Sequence, residues 1–431
     1  VINSSNLCVT GDTRLATQWG LVTAKELYEK GEPIIATYDK RTDGNWRDVG
    51  VSTAQCLKMF KTKENADVYE VITKEGYRIK ATDWHEFYRA VPIKTINGYP
   101  VDYKIEKVKL SDLKIGDKLL IQSGEGQFGN EGYYELGLLT GLITGDGTFA
   151  TKNGYKIACI DLYNDELSLS ETVLESINTV IEKESYTSSN GRIYTNTLPK
   201  LIKHTKNSKK VRFTSIRLAK ILEEKYGFNK ENKLSVPEFV FKGTKETVIG
   251  YLQGLFTSDA TVNVIKNDRI PTFSIQLASK SKKLLEDVQI LLTNFGIKSS
   301  ISKMRDEEKA HFNYITKSGE ERFYNASSLY RLLINGNNAI KFVENIGFLG
   351  KKQEKALKIL KEREKLGYPK YSRKDEHFFA TIKEIRYAGK EDVYDTTQLY
   401  NHSLIFNGII TGNCTEISIP NSPESTAVCT L

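Results

Sequence analysis

Cysteine is scarce. The 431-residue sequence holds five, Cys8, Cys56, Cys159, Cys414 and Cys429. That odd number, without metal-ligand spacing, excludes a disulfide framework and fits a reducing compartment, the cytoplasm. Long apolar runs are missing as well, since none approaches the ~18 residues of a membrane span; no membrane partner is expected. The opening Val1-Ile2-Asn3-Ser4-Ser5-Asn6-Leu7 is neither basic nor long enough for a signal peptide. Nor is charge of one sign in strong excess: a formal net charge of +8 is modest for this length, so where the charge sits must decide whether nucleic acid is bound.

What remains is a globular composition, 39% hydrophobic and 27% charged, with a mean hydropathy of -0.41. Its length suits two or three domains with their own cores. From Cys8 onward, short β-type runs punctuated by Gly and Asp continue to Ile121 and stop in the Gly-rich stretch 124–129. They resume near Phe378 and run to Ile410. One all-β domain interrupted by another is expected, its parts being 8–130 and 376–413.

Between them lies an internal repeat. Leu136 to Gly147 and Ile249 to Ala260 share small residues every fourth position: Gly137, Gly141 and Gly145 in one, Gly250, Gly254 and Ser258 in the other. Glycine costs about 1 kcal/mol against alanine inside a helix, so such a stripe needs a reason, and close approach of a matching helix supplies one. Each helix ends in a carboxylate, Asp146 or Asp259, at the pole where an acid is disfavoured. Side by side, two such ends would hold divalent ions, as in attack on a phosphodiester. Lys233 could reach the same centre. Basic residues after each helix (Lys152, Lys156, Lys266, Arg269, and the run 203–210 with His204) suit a phosphate-contacting surface. The helix 351–365, rich in Lys and Glu, reads as a connector.

Two reactive positions bracket this plan. An Asn followed by a thiol residue, Asn413-Cys414, can cut itself when the side-chain amide attacks its own carbonyl. If the Cys8 thiol has first attacked the Leu7 carbonyl and Cys414 has captured that acyl group, the cut releases the middle and joins the ends.

With these residues assembled, the chain resembles a bifunctional intein, a Hint-fold splicing domain carrying a LAGLIDADG homing endonuclease. Cys8 with Gly11-Asp12-Thr13-Arg14-Leu15 is similar to the amino-terminal block, and Thr82-Asp83-Trp84-His85 to the Thr-x-x-His block. Val393-Tyr394-Asp395, Asn401-His402 and Asn407-Gly408 are similar to the carboxy-terminal block, and Asn413-Cys414 to the downstream junction. The two repeat helices resemble the paired LAGLIDADG motifs, and Lys233 falls where the family places a lysine.

The resemblance implies an all-β, discontinuous Hint domain with an inserted α+β endonuclease of two pseudo-symmetric repeats. The implied segments are 1–7 (N-extein), 8–130, 131–350 (endonuclease), 351–375 (connector), 376–413 and 414–431 (C-extein). It also implies roles. Cys8 performs the N-to-S acyl shift, Thr82 strains the scissile peptide, and His85 protonates its nitrogen. Asp395 manages the two thiols, His402 assists Asn413 cyclisation, and Asp146, Asp259 and Lys233 serve the nuclease. Splicing needs no cofactor; the nuclease would use Mg2+ or Mn2+ at Asp146 and Asp259. The implied partners are the exteins in cis and double-stranded DNA of the uninterrupted host gene, and a monomer is expected. Joined across the junctions, the flanks read Val-Ile-Asn-Ser-Ser-Asn-Leu-Cys-Thr-Glu-Ile, which resembles the Asn-x-Cys-x-Glu site of a ribonucleotide reductase large subunit.

One departure stands out. Gly412 occupies the place where the family has a His before the terminal Asn, so cyclisation is expected to be slow unless His402 or a backbone contact takes that role. A splicing-competent chain with a decayed nuclease is the other expectation.

Overall fold

A computed structural model describes residues 8–184, 200–203, 209–266, 271–305, 311–315, 321–325, 328–371 and 377–413. Leu7, Cys414, His204 and Arg269 lie outside them, as does the side chain of Lys266. The chain divides into two compact units. The first takes 1–129, 292–296 and 377–431, and the second 130–291 and 297–376. No described helix is long and apolar enough to cross a membrane.

The first unit is built on a 13-stranded sheet. Its longest ladder joins Phe60–Thr73 to Phe379–Asp395 in antiparallel register, with several irregularities. The short strand Val9–Thr10 lies against the far end of that ladder, pairing Val9 with Tyr394 and Thr10 with Val393, and on its other side Val9 pairs with Ala81. The last two strands, Ser403–Phe406 and Ile409–Gly412, form a hairpin. Its turn residues Asn407 and Gly408 both have positive φ (50° and 80°), the combination that a two-residue hairpin loop matching strand twist requires. Asn407 also ties the turn to the amino-terminal strands: its Oδ1 accepts from Arg14 N at 2.9 Å. Buried aliphatic and aromatic side chains such as Leu15, Val71, Phe87, Leu119, Ala380 and Phe406 form the core. The β-type expectation omits the α-helix Ala24–Lys30, capped by Thr23 and closed by Gly31 in the left-handed region.

The second unit repeats one topology. Helix Tyr134–Thr144 is followed by a four-stranded sheet, and helix Lys245–Asp259 by another; in both sheets the spatial order is first, second, fourth, third strand. The second copy adds a small hairpin, His311–Ile315 with Glu321–Asn325, between its third and fourth strands. The two helices touch backbone to backbone. A Cβ at Gly141 would stand 2.1 Å from the Tyr251 carbonyl oxygen, and one at Gly254 2.4 Å from that of Leu138. The glycine stripe is therefore a steric requirement of this contact. Helix Lys351–Lys365 is not a connector: it belongs to this unit, packs on the strands Ala260–Lys266 and Pro271–Ser279, and buries Ala356 and Ile359. A charged sequence hid two apolar contacts on one face.

Candidate functional sites

In the first unit, the end of the long strand Phe379–Asp395 and the residue after it meet both ends of the 8–413 segment. Cys8 is buried (1% exposed). Its carbonyl accepts from Thr82 N at 3.1 Å, and the Thr82 carbonyl in turn accepts from His85 N at 3.1 Å. Thr62 Oγ1 lies 2.8 Å from Cys8 Sγ. Asp395 is fully buried and accepts from Thr396 N at 2.8 Å. At the other end Asn413, also fully buried, donates from Nδ2 to the Thr396 carbonyl at 2.7 Å, and its backbone N–H donates to the His402 carbonyl at 3.2 Å.

Several atoms here have no hydrogen-bond partner among the described residues: Nδ1 and Nε2 of His85, Nδ1 of His402, Oγ1 of Thr411 and Oδ1 of Asn413. Buried polar atoms are seldom left so, and a cluster of them marks a place built to meet something else. The His85 ring is packed edge-on against Phe87, and burial pushes its pKa down to about 3. It is a neutral imidazole at neutral pH, able to take a proton before it gives one. His402 has a positive φ of 54°. It is held by Gln398, whose Oε1 accepts from the amides of Tyr400, Asn401 and His402. Cys56, a thiol outside the motifs, is buried and pushed up to about 12, first by burial and also by the Asp395 carboxylate.

The second unit gathers two carboxylates and two lysines at the carboxy-terminal ends of the paired helices. A Cβ at Gly145 would lie 3.4 Å from the Asp259 carboxyl carbon, which puts that carboxylate beside the residue preceding Asp146. The Asp146 carboxyl is raised by burial, against the pull of Lys352 and Lys233. Asp259 is exposed at the surface, and its carboxyl is pushed up to about 6, first by the protein packed around it and then by Asp146, with solvent screening these charges. Lys233 Nζ donates to the carbonyls of Gly145 (3.3 Å) and Gly147. Lys352 Nζ donates to those of Thr257 and Ser258, the latter at 3.0 Å. Each lysine thus binds carbonyls at or just beyond one helix end, where a cation is favoured. Burial lowers both ammonium pKa values.

Lys352 escaped the sequence reading, although it trails Asp259 by nearly the same length of chain as Lys233 trails Asp146. Glu166 was missed too: its carboxyl is raised by burial and faces Lys352 and Asp146. Among the described residues no group of three or more His, Cys, Asp or Glu side chains could hold a metal. The donor set is two carboxylates, which suits Mg2+, an ion that keeps several waters and is bound through one or two carboxylates plus phosphate oxygens.

The basic surface is less free than the sequence suggests. Lys210 is buried against Asp161 (3.3 Å), which also takes two hydrogen bonds from Arg212 at 2.7 and 2.6 Å. Lys156 is ion-paired with Glu223. Lys152 remains exposed.

The family description "LAGLIDADG-like domain" matches residues 246–347. The ribonucleoside-diphosphate reductase NrdEB subunit alpha of Bacillus subtilis (strain 168) is 35% identical over 421 residues, covering 96% of this chain and 36% of the relative. The chain spans little more than a third of the length of the ribonucleoside-diphosphate reductase relatives it matches. Among solved structures, a mesophilic variant of the homing endonuclease I-DmoI is 18% identical, with a TM-score of 0.31, over 52% of this chain and 96% of its own. A G-1F mutant of an Ssp DnaB mini-intein variant is 10% identical, with a TM-score of 0.28, over 94% and 98%.

Proposed function

We propose that the chain is an intein that excises residues 8–413 from a ribonucleotide reductase large subunit and joins its flanks, and that its second unit is a double-strand DNA homing endonuclease. The observation that carries the splicing reading is the shared strand end: Val9 and Thr10, next to Cys8, pair with Tyr394 and Val393, while Thr396 accepts the Asn413 amide. A fold that brings two remote reactive residues to one strand end supplies the proximity that intramolecular acyl transfer needs, worth about 7 to 11 kcal/mol.

In this reading Cys8 attacks the Leu7 carbonyl, His85 delivers a proton to the departing nitrogen, and Thr82 holds the peptide through the Cys8 carbonyl. Cys414 takes the acyl group with Asp395 in attendance. Asn413 then cyclises, with His402 beside it and Thr396 orienting the amide. Mass spectrometry of the purified full chain over time tests it. A released 8–413 fragment together with a product joining 1–7 to 414–431 is expected; a single unchanging mass overturns it.

The nuclease reading is supported by the aspartate pair with its two lysines and by the LAGLIDADG-like match. Mg2+ held by Asp146 and Asp259 would supply Lewis-acid stabilisation of charge on the scissile phosphate. Lys233 and Lys352 hold the helix ends and place positive charge beside that pair. Cleavage of the uninterrupted reductase gene in Mg2+, lost in Asp146→Asn and Asp259→Asn, is the test; wild-type protein that leaves that DNA intact would sink it.

A further inference from the structure

We infer that Thr62, which no motif above includes, is a catalytic residue of the first acyl shift, holding the Cys8 sulfur as thiol and then as thiolate; the inference rests on the splicing reading. Thr62 Oγ1 lies 2.8 Å from Cys8 Sγ and 2.9 Å from the Val393 carbonyl oxygen. A hydroxyl has one proton and two lone pairs, so it can serve only one of these acceptors at a time. While sulfur keeps its proton, the hydroxyl donates to Val393 and turns a lone pair toward the thiol. Once sulfur is an anion, rotation of the hydroxyl hydrogen puts a donor on it, and that charge-assisted bond is the stronger of the two.

The backbone is built to aim this side chain. In the ladder between Phe60–Thr73 and Phe379–Asp395, Lys63 stands opposite Val393 and Lys61 opposite Tyr394, so Thr62 is the extra residue of a bulge. Bulges re-aim a side chain that regular alternation would send elsewhere. The neighbouring positions are pinned: Lys61 Nζ donates to Asp392 at 3.0 Å, and Asn65 N to the same carboxylate at 3.2 Å. Cys8 is too buried for water to replace the hydroxyl readily.

In the shift, a bond forms between Cys8 Sγ and the Leu7 carbonyl carbon, and the bond from that carbon to the Cys8 nitrogen breaks. The thiol proton ends on that nitrogen, leaving a thioester and an amine; nothing is oxidised or reduced. Thr62 transfers no proton in the net step. It stabilises sulfur's negative charge until attack.

The test uses the full chain carrying Asn413→Ala, which stops the last step. It follows the appearance of a chain beginning at Cys8 when dithiothreitol is added, across a neutral-to-alkaline pH series. Thr62→Val keeps the shape and removes the hydroxyl; Thr62→Ser keeps the hydroxyl. The expected result at neutral pH is a loss of about ten- to a hundredfold in Thr62→Val. Its rate profile should also move alkaline by about one unit or more, and Thr62→Ser should stay near the parent. Thr62→Val matching the parent in rate and profile would overturn the inference alone. So would Thr62→Ser slowed as much as Thr62→Val with neither profile displaced, since that is a packing defect. A parent that releases nothing would remove the splicing reading itself.

Discussion

Asn413 donates its side-chain amide to the backbone carbonyl of Thr396 at 2.7 Å, while its own Oδ1 has no partner among the described residues. The nitrogen that would attack is therefore held and the oxygen is left open. Asn413→Asp loses the donor and sets a carboxylate against a carbonyl in a buried site. Cleavage at 413/414 should stop and stability fall by ~1–3 kcal/mol, read by mass spectrometry and a denaturant midpoint.

Gly412 is crowded. A Cβ there would meet Glu86 Oε2 at 2.8 Å and Glu86 Cβ at 3.0 Å, with Lys107 Cε at 3.4 Å; Glu86 and Lys107 are themselves ion-paired at 3.5 Å. Restoring the usual histidine with Gly412→His should leave Asn413 cyclisation no faster while Glu86 is present. The same change in a Glu86→Gly background, which removes both Glu86 contact atoms, should accelerate it. The assay is release of the segment from Cys414 onward in a chain carrying Cys8→Ala.

His85 makes stability pH-dependent. Its folded pKa, about 3, lies below the ordinary value of 6.5, so between these limits the unfolded chain binds the proton and the folded one does not. This contribution to stability is fully present above pH 6.5 and is lost as pH falls toward 3. His85→Leu should flatten the acid limb of a melting-temperature profile while abolishing the first splicing step.

Asp259 has the opposite sign. Its folded pKa, about 6, lies above 3.8, so the ionised carboxylate weakens the fold as pH rises through that window. Asp259→Asn should melt higher than wild type at neutral pH and match it below 3.8, while DNA cleavage is lost.

In the paired helices, Gly141→Ala sets two effects against each other. Helix propensity favours alanine by about 1 kcal/mol, but its Cβ would stand 2.1 Å from the Tyr251 carbonyl oxygen, with backbone on both sides. Forcing the helices apart costs about 1–3 kcal/mol or more. Net destabilisation is expected by thermal melting.

What was legible in the sequence is what local chemistry dictates. The four-residue spacing of Gly137, Gly141, Gly250 and Gly254 announced a helix contact, whereas Asn407-Gly408 was legible only as part of a motif and not as the hairpin turn it forms. What was not legible depends on register and on distant partners. Thr62 reaches Cys8 only because the ladder slips by one residue there. Lys352 sits in a helix whose abundant charge masked its buried face. Lys210 reads as a surface cation and is buried because Asp161, on a neighbouring strand, needs it. Glu86 and Lys107 crowd Gly412 only through strand pairing.

The long ladder between Phe60–Thr73 and Phe379–Asp395 has a consequence for chain continuity. Its strands lie on opposite sides of the stretch 130–291, and main-chain hydrogen bonds join them along most of their length. A polypeptide made as two separate pieces, broken within that stretch, would retain every ladder between its amino- and carboxy-terminal portions. Two such fragments, mixed, should find each other and complement.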